Sequence, residues 1–273
     1  MTVRSAISPA LRELAEEPDA LLTDVPPPAR RIITPRFTVV FAPSLTQVSV
    51  SRLRATAEDL DDTIAEVRRL VRDAGYLRCV WQIGPSCRPE GIGGRLLERG
   101  FAPATRPPYE PLFTSMALTS PPVISPATAG IEARLVRDVD EYGEVIRIAM
   151  DAFNEPMEDA AAWIAAVPAL WASQDGLHRY THLALLDGSP VGFGFAVTAR
   201  AGVLLGGSGV LASARGRGVY RALVAARWDE AVKLGKPGLV IHAGAMSRPI
   251  LERCGFEAVC GIQVFDDLSF VDG

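Results

Sequence analysis

The segment Val210-Leu-Ala-Ser-Ala-Arg-Gly-Arg-Gly-Val-Tyr-Arg-Ala-Leu-Val224 constrains this chain more than any other. A β-rich run feeds a tight loop, and the loop opens directly into an amphipathic helix. Gly216 and Gly218 let the backbone turn where a Cβ would stand in the way of a ligand. The first amides of a helix have no internal partners and carry the positive end of its dipole. A strand, turn and helix in this order therefore make a nest for an anion, with pyrophosphate as its natural occupant. Arg215, Arg217 and Arg221 add charge-assisted donors around the opening. A solvated basic turn that merely caps the helix would show the same spacing, and the residue types alone leave both readings open. The chain has no GxxxxGK[ST], and no GxGxxG follows the strand, so the two familiar nucleotide loops are excluded.

Length and punctuation divide the rest. At 273 residues, two domains are the first expectation. Residues 119–130 are rich in Pro, Ser, Thr and Ala and read as a linker, which gives domains at 1–118 and 131–273. The first begins with a helix from Pro9 to Leu22 and the Pro-rich stretch Val25-Pro-Pro-Pro28. A strand at Phe37–Phe41 follows, then a helix opened by Thr56 and closed by Gly75, a strand at Leu77–Ile83, a helix at Arg95–Arg99 and a strand over 110–118. The second reads as a strand from Ile131, two helices, and three strands (Thr181–Leu186, Val191–Ala199, Val203–Leu211). The glycine-arginine loop and its helix come next, then a strand at Leu239–Ala243, a helix at Ser247–Arg253 and a strand around Gly261–Phe265. Asp138 and Glu141 form a capping box for the first of its helices. Gly94-Arg-Leu-Leu-Glu-Arg-Gly-Phe-Ala102 echoes Arg248-Pro-Ile-Leu-Glu-Arg-Cys-Gly-Phe-Glu257 with one residue of slip, which points to a tandem repeat.

Composition excludes several classes. With 48% hydrophobic and 22% charged residues and a net charge of -4, the chain can build a sizeable core, and no basic excess marks a nucleic-acid binder. No apolar run approaches a membrane span. Acidic residues at Glu13, Glu16, Glu17 and Asp19 break any signal-peptide core, so a cytoplasmic protein is expected. Cys79, Cys87, Cys254 and Cys260 show no metal or redox spacing and are read as free thiols, and no metal is expected.

Arg215-x-x-Gly218 after a strand, with Leu251-Glu-Arg-Cys-Gly-Phe256 some forty residues on, resembles the GCN5-related N-acetyltransferase (GNAT) family. The resemblance covers residues 131–269, most specifically 203–257. Tyr220 stands where the family signature has Gly or Ala. The implied fold is α/β (α+β): a mixed, mostly antiparallel sheet flanked by helices. The first half resembles the same fold in degenerate form, without the loop. Acetyl-CoA is the implied cosubstrate. Val210 and Leu211 would pair with its pantetheine arm, the amides of Arg215, Gly216, Arg217, Gly218, Val219 and Tyr220 would hold its pyrophosphate, and Ser247 would contact the pantetheine, a plain N-cap being the alternative for Ser247.

The implied reaction is acetyl transfer to an amine of a small molecule or peptide, with no nucleic-acid or membrane partner. The oligomeric state stays open, a homodimer being one outcome. The family's usual acid position is Leu251, its usual asparagine is Gly244, and the strand Val203–Leu211 carries no ionisable side chain. His242, on the strand beside the expected thioester, is the candidate base, a half-buried structural histidine being the alternative. Asp151, Glu155, Glu158 and Asp159 cluster where acceptors bind in the family, solvated helix-end charges being the alternative, and His178 and His182 are read as structural. The missing acid and base also suit a non-catalytic acyl-CoA-binding or regulatory module.

Overall fold

The computed structural model describes residues 6–23, 25, 29–42, 47–106, 108–123, 130–153, 157–174 and 178–270, with the backbone alone at 42, 157–160 and 162. In chain order the helices are α1 (Pro9–Glu16), α2 (Pro18–Leu21), α3 (Leu60–Asp73), α4 (Ile92–Leu97), α5 (Val139–Phe153), α6 (Met157–Ala172), α7 (Val219–Lys233) and α8 (Arg248–Cys254). The strands are β1 (Arg30–Ile33), β2 (Thr38–Ala42), β3 (Gln47–Ser51), β4 (Cys79–Ile83), β5 (Phe101–Pro103), β6 (Leu112–Leu118), β7 (Ile131–Leu135), β8 (Arg179–Leu186), β9 (Ser189–Thr198), β10 (Val203–Val210), β11 (Leu239–Ala243) and β12 (Glu257–Asp267). Chain contacts divide into two compact units. One holds Met1–Leu14, Ala117–Ile241 and Pro249–Glu257, and the other holds Ala15–Met116, His242–Arg248 and Ala258–Gly273.

The unit that carries the loop runs in the strand order β11-β10-β9-β8-β7. Its β7–β10 strands are antiparallel neighbours, and β10 pairs with β11 in parallel. Tyr142, Val145, Ile146 and Ile148 on one side of α5 close over Leu183 and Phe193 of the sheet. The capping box at its start forms: the Glu141 amide donates to Asp138 Oδ1 at 2.9 Å. The Glu141 carboxylate reaches one residue further back than a box requires, accepting from the Arg137 amide and from Arg134. The Arg134 bond, with help from Arg137, holds its pKa at about 2.

The other unit runs β1-β2-β3-β4-β12-β6, with β5 also on β12. Phe37, Val39, Val48, Val50, Ile64, Val67 and Trp81 form its core. The last strand therefore pairs with the first half: Gln263–Asp266 lie antiparallel to Val80–Ile83. Residues 258–270 pack in this unit, whereas a division at 119–130 assigns them to the second domain. Residues 124–129 of that expected linker, and 26–28 of the Pro-rich stretch, lie outside the described residues.

Two helix expectations change. The single helix Pro9–Leu22 is broken at Glu17, because Pro18 has no N–H to continue α1 and instead begins α2. Thr56 does not open α3; its hydroxyl accepts from the Asp59 amide, and the Asp59 carbonyl then accepts the first helical bond, from Thr63. The echo between halves has a packing basis. Leu96 of α4 and Leu251 of α8 are both fully buried, and the Phe after each glycine, Phe101 and Phe256, is 4% exposed.

Candidate functional site

The parallel ladder of β10 with β11 holds only Val203 to Leu239 and Leu204 to Val240. Beyond it β10 continues to Val210 on β9. Its register slips between Leu205 and Ser208, three residues on β10 against two on β9, which places a bulge at Gly206–Gly207. The ladder with β11 already ends at Leu204, ahead of the bulge, and this backbone edge of β10 is open from there on.

Strand geometry decides what this edge presents. The N–H and C=O of a strand residue point to the same side, and neighbours alternate. The Leu211 amide donates to Val191 of β9 at 2.9 Å, and its carbonyl accepts from the Ala214 amide. Val210 accordingly turns its pair toward the open edge, where its carbonyl accepts from Arg215 Nε at 3.2 Å. Of the two residues expected to meet a pantetheine arm, Val210 faces the edge, and Leu211 has spent both backbone groups within the protein.

A 3-10 turn at Ala212–Ala214 leads into the loop. Gly216 and Gly218 both lie in the left-handed region, at φ +76° and +92°. Gly218 is the N-cap of α7, which has no acidic residue in its first turn. The first α-helical bond recorded at this end runs from the Ala222 amide to the Gly218 carbonyl. Helix geometry therefore leaves the Val219, Tyr220 and Arg221 amides pointing out of the helix end. A Cβ on Gly216 would meet open space. These features fit a pyrophosphate. The arginines divide: Arg217 is exposed, 3.9 Å from Asp187, whereas Arg215 folds back, its guanidinium also 3.5 Å from the Ala152 carbonyl.

The first half contrasts with this. Its strand–helix–strand, β3-α3-β4, keeps a parallel ladder over Val48–Val50 against Cys79–Trp81. Gln82 Nε2 further donates to Ser49 Oγ at 2.8 Å, tying the strands by their side chains.

His242 follows the last rung of the β10–β11 ladder by two residues and is half-buried. Its Nε2 lies 2.9 Å from the Ala15 carbonyl. A carbonyl only accepts, so Nε2 carries the proton and the neutral ring keeps its lone pair on Nδ1. Burial pulls the pKa below the ordinary histidine value, opposed by the Ala15 bond and the Asp19 charge. The ring is neutral at neutral pH. Ser247 is half-buried before α8, its hydroxyl 3.4 Å from the Gly244 carbonyl.

Asp151 lies exposed on α5. Glu155, and the side chains of Glu158 and Asp159, fall outside the described residues. His178 is half-buried just before β8, and His182 is 2% exposed within it. Burial, then the charges of Arg227 and Lys233, lowers the His182 pKa to about 3. No group of three His, Cys, Asp or Glu that could hold a metal occurs among the described residues. Nor is any described helix long and apolar enough to cross a membrane.

Sequence reading missed two residues here. Glu110 fills the space left by the absent side chain at Gly244, where a Cβ would collide with its carboxylate, and its Oε2 accepts from the Ala245 amide at 2.8 Å. Arg227 of α7 is fully buried. It donates to the Leu223 and Phe195 carbonyls and to Ser208 Oγ. Its guanidinium lies so close over Gly194 that a Cβ there would approach to 2.8 Å. Only the glycine at 244 hinted at the first, and a charged helix position gave no sign of the second.

No family model matches the sequence, and no curated protein matches it significantly. Solved structures do resemble it. A GCN5-related N-acetyltransferase from Kribbella flavida superposes with a TM-score of 0.70 at 17% identity, over 96% of both chains. A tandem GNAT protein from the clavulanic acid biosynthesis pathway gives 0.61 at 15% identity, over 97% of this chain and 90% of that one. A GCN5-related N-acetyltransferase from Sphaerobacter thermophilus gives 0.58 at 20%, over 85% and 80%. At these identities the likeness concerns the fold. The chain has the fold of the GCN5-related N-acetyltransferases, in tandem arrangement.

Proposed function

We propose that the protein is an acetyl-CoA-dependent N-acetyltransferase, with the cosubstrate held by the second GNAT-like half alone. The observation that carries this reading is the released edge of β10 leading into a loop with two left-handed glycines and an uncapped helix end. The amides from Arg215 to Tyr220 would hold the pyrophosphate, and Arg217 would add a screened surface charge. The outward amide of Val210, whose carbonyl already accepts from Arg215, would take the pantetheine arm. Bound acetyl-CoA would supply an acyl group activated as a thioester.

His242 serves as the base. The Ala15 carbonyl fixes its tautomer, and its Nδ1 lone pair takes the proton that the acceptor amine loses as it becomes a nucleophile. A non-catalytic acyl-CoA-binding module draws support from Leu251, which is fully buried and apolar where the family usually places an acid.

Thiol release from acetyl-CoA in the presence of a broad panel of amines separates the two. The enzyme reading expects turnover with at least one amine, reduced at least a hundredfold in His242→Gln while CoA affinity is unchanged. Tight CoA binding with inertness across the panel would favour the module.

A further inference from the structure

Several half-buried polar side chains gather around His242, all within its own unit. Asp19 of α2 accepts a hydrogen bond on Oδ2 from Ser49 Oγ at 2.8 Å, and Ser49 is itself held by Gln82. Ala15, four residues before Asp19, supplies the carbonyl that orients His242; Ser115 Oγ donates to that same carbonyl. One segment therefore carries both the anchor of the imidazole and a carboxylate beside it.

An aromatic wall adjoins them. The rings of Tyr109 and Phe113 are 6.2 Å apart, and Phe113 stacks against the His242 ring at 6.5 Å, 23° from parallel. The Tyr109 hydroxyl is fixed by Gln47 Nε2 at 2.8 Å. Asp19, Tyr109, Phe113 and His242 are each partly exposed to solvent.

The carboxylate is short of positive charge. No ion pair to Asp19 occurs among the described residues. Arg31, whose charge also acts on it, spends Nη1 on the carbonyls of Asp19 and Leu22. Burial raises the Asp19 pKa, with Ser49, His242 and Arg31 opposing. The Asp19 charge in turn helps to raise that of Tyr109, after burial. An incoming cation would relieve this cost.

We propose that this cluster is the acceptor site, and that the acceptor is a primary amine on an apolar or aromatic body, its ammonium group paired with Asp19 and its body laid against Tyr109 and Phe113. The assignment rests on the acyltransferase reading for its purpose, and it places the amine beside the residue that takes its proton. An acidic acceptor would be repelled by the Asp19 carboxylate, and an uncharged one would lack the ion pair.

Calorimetric titration with 2-phenylethylamine, 2-phenylethanol and phenylacetate tests it directly. The full-length protein should bind the amine at least tenfold more tightly than the alcohol, and phenylacetate should not bind. Asp19→Asn keeps an oxygen for Ser49 and removes the charge. It should abolish the tenfold preference for the amine while leaving alcohol binding intact. Equal binding of amine and alcohol to the unmodified protein would overturn the proposal without any variant. So would an undiminished preference in a folded Asp19→Asn protein. A CoA titration on the same samples reads the other assignment separately: loss of CoA binding refutes the acyltransferase reading, whereas CoA binding without amine preference refutes only the acceptor site.

Discussion

Placing a side chain on Gly218 tests the loop at its tightest point. The residue sits at φ +92° and caps α7. Asp is among the few L-residues that enter this region, at a cost of about 1–2 kcal/mol. Gly218→Asp should therefore lower the melting temperature by only a few degrees. Cofactor binding should suffer more. A carboxylate at the helix end repels a pyrophosphate and crowds its approach to the Val219 and Tyr220 amides. Loss of one charge-assisted hydrogen bond is worth about 1.5–3 kcal/mol, which corresponds to a roughly ten- to 150-fold weaker CoA affinity. Arg217→Ala provides the contrast. Its side chain is 54% exposed and its nearest recorded ion-pair contact is a loose one with Asp187, so its loss should cost no more than about 1 kcal/mol and fade as salt rises. Calorimetry with CoA, paired with a thermal melt, measures both. Wild-type affinity in a folded Gly218→Asp protein would remove this loop from the cofactor site and the proposed activity with it.

Two further outcomes follow from the same structure. A CoA titration of the intact protein should saturate at one site per chain, because β3 and β4 stay laddered and stitched through Gln82 and Ser49; two sites would refute a cofactor-free first half. His182 stays neutral in the fold down to about pH 3, while an unfolded histidine takes up a proton below about pH 6.5. The unfolded chain thus gains protons as pH falls through that window. Stability should drop by about 2 kcal/mol between pH 6.5 and 5 from this group, read as a falling urea midpoint. An equally steep fall in His182→Gln would assign the effect elsewhere.

Local chemistry made much of the fold legible. Hydrophobic alternation and Gly or Pro punctuation located β7–β11 and α7 to within a residue or two, since each depends on its own side chains. The repeat was visible because Leu-Glu-Arg and Gly-Phe recur; counted back from each Gly-Phe, both helices bury a leucine, Leu96 and Leu251, and both phenylalanines are buried at or just before the start of a strand. Strand β3 was missed although Gln47-Val-Ser-Val-Ser51 alternates, because Gln47 and Ser51 are themselves buried and their polarity reads as a turn. The partner of β12 was not legible: its own residues say that it is a strand and nothing about which sheet admits it. In the sequence Asp19 is only one of four acids that break a signal-peptide core. Its meaning depends on a histidine more than two hundred residues later. Arg227 reads as a surface charge until Gly194 is seen to make room for it.

The position of β12 sets a timetable for biosynthesis. Strand β4 leaves the ribosome early, yet its antiparallel partner, Gln263–Asp266, emerges about 180 residues later. At translation rates of about 5–20 residues per second, the nascent chain waits roughly 10–40 s. Collapse and local helix formation are faster by many orders of magnitude. Throughout that interval one edge of Cys-Val-Trp-Gln-Ile83 has no final neighbour, and an apolar strand with an open edge is a template for pairing with other chains. That edge stays open until β12 arrives, so the pairing that covers it is among the last the chain can make.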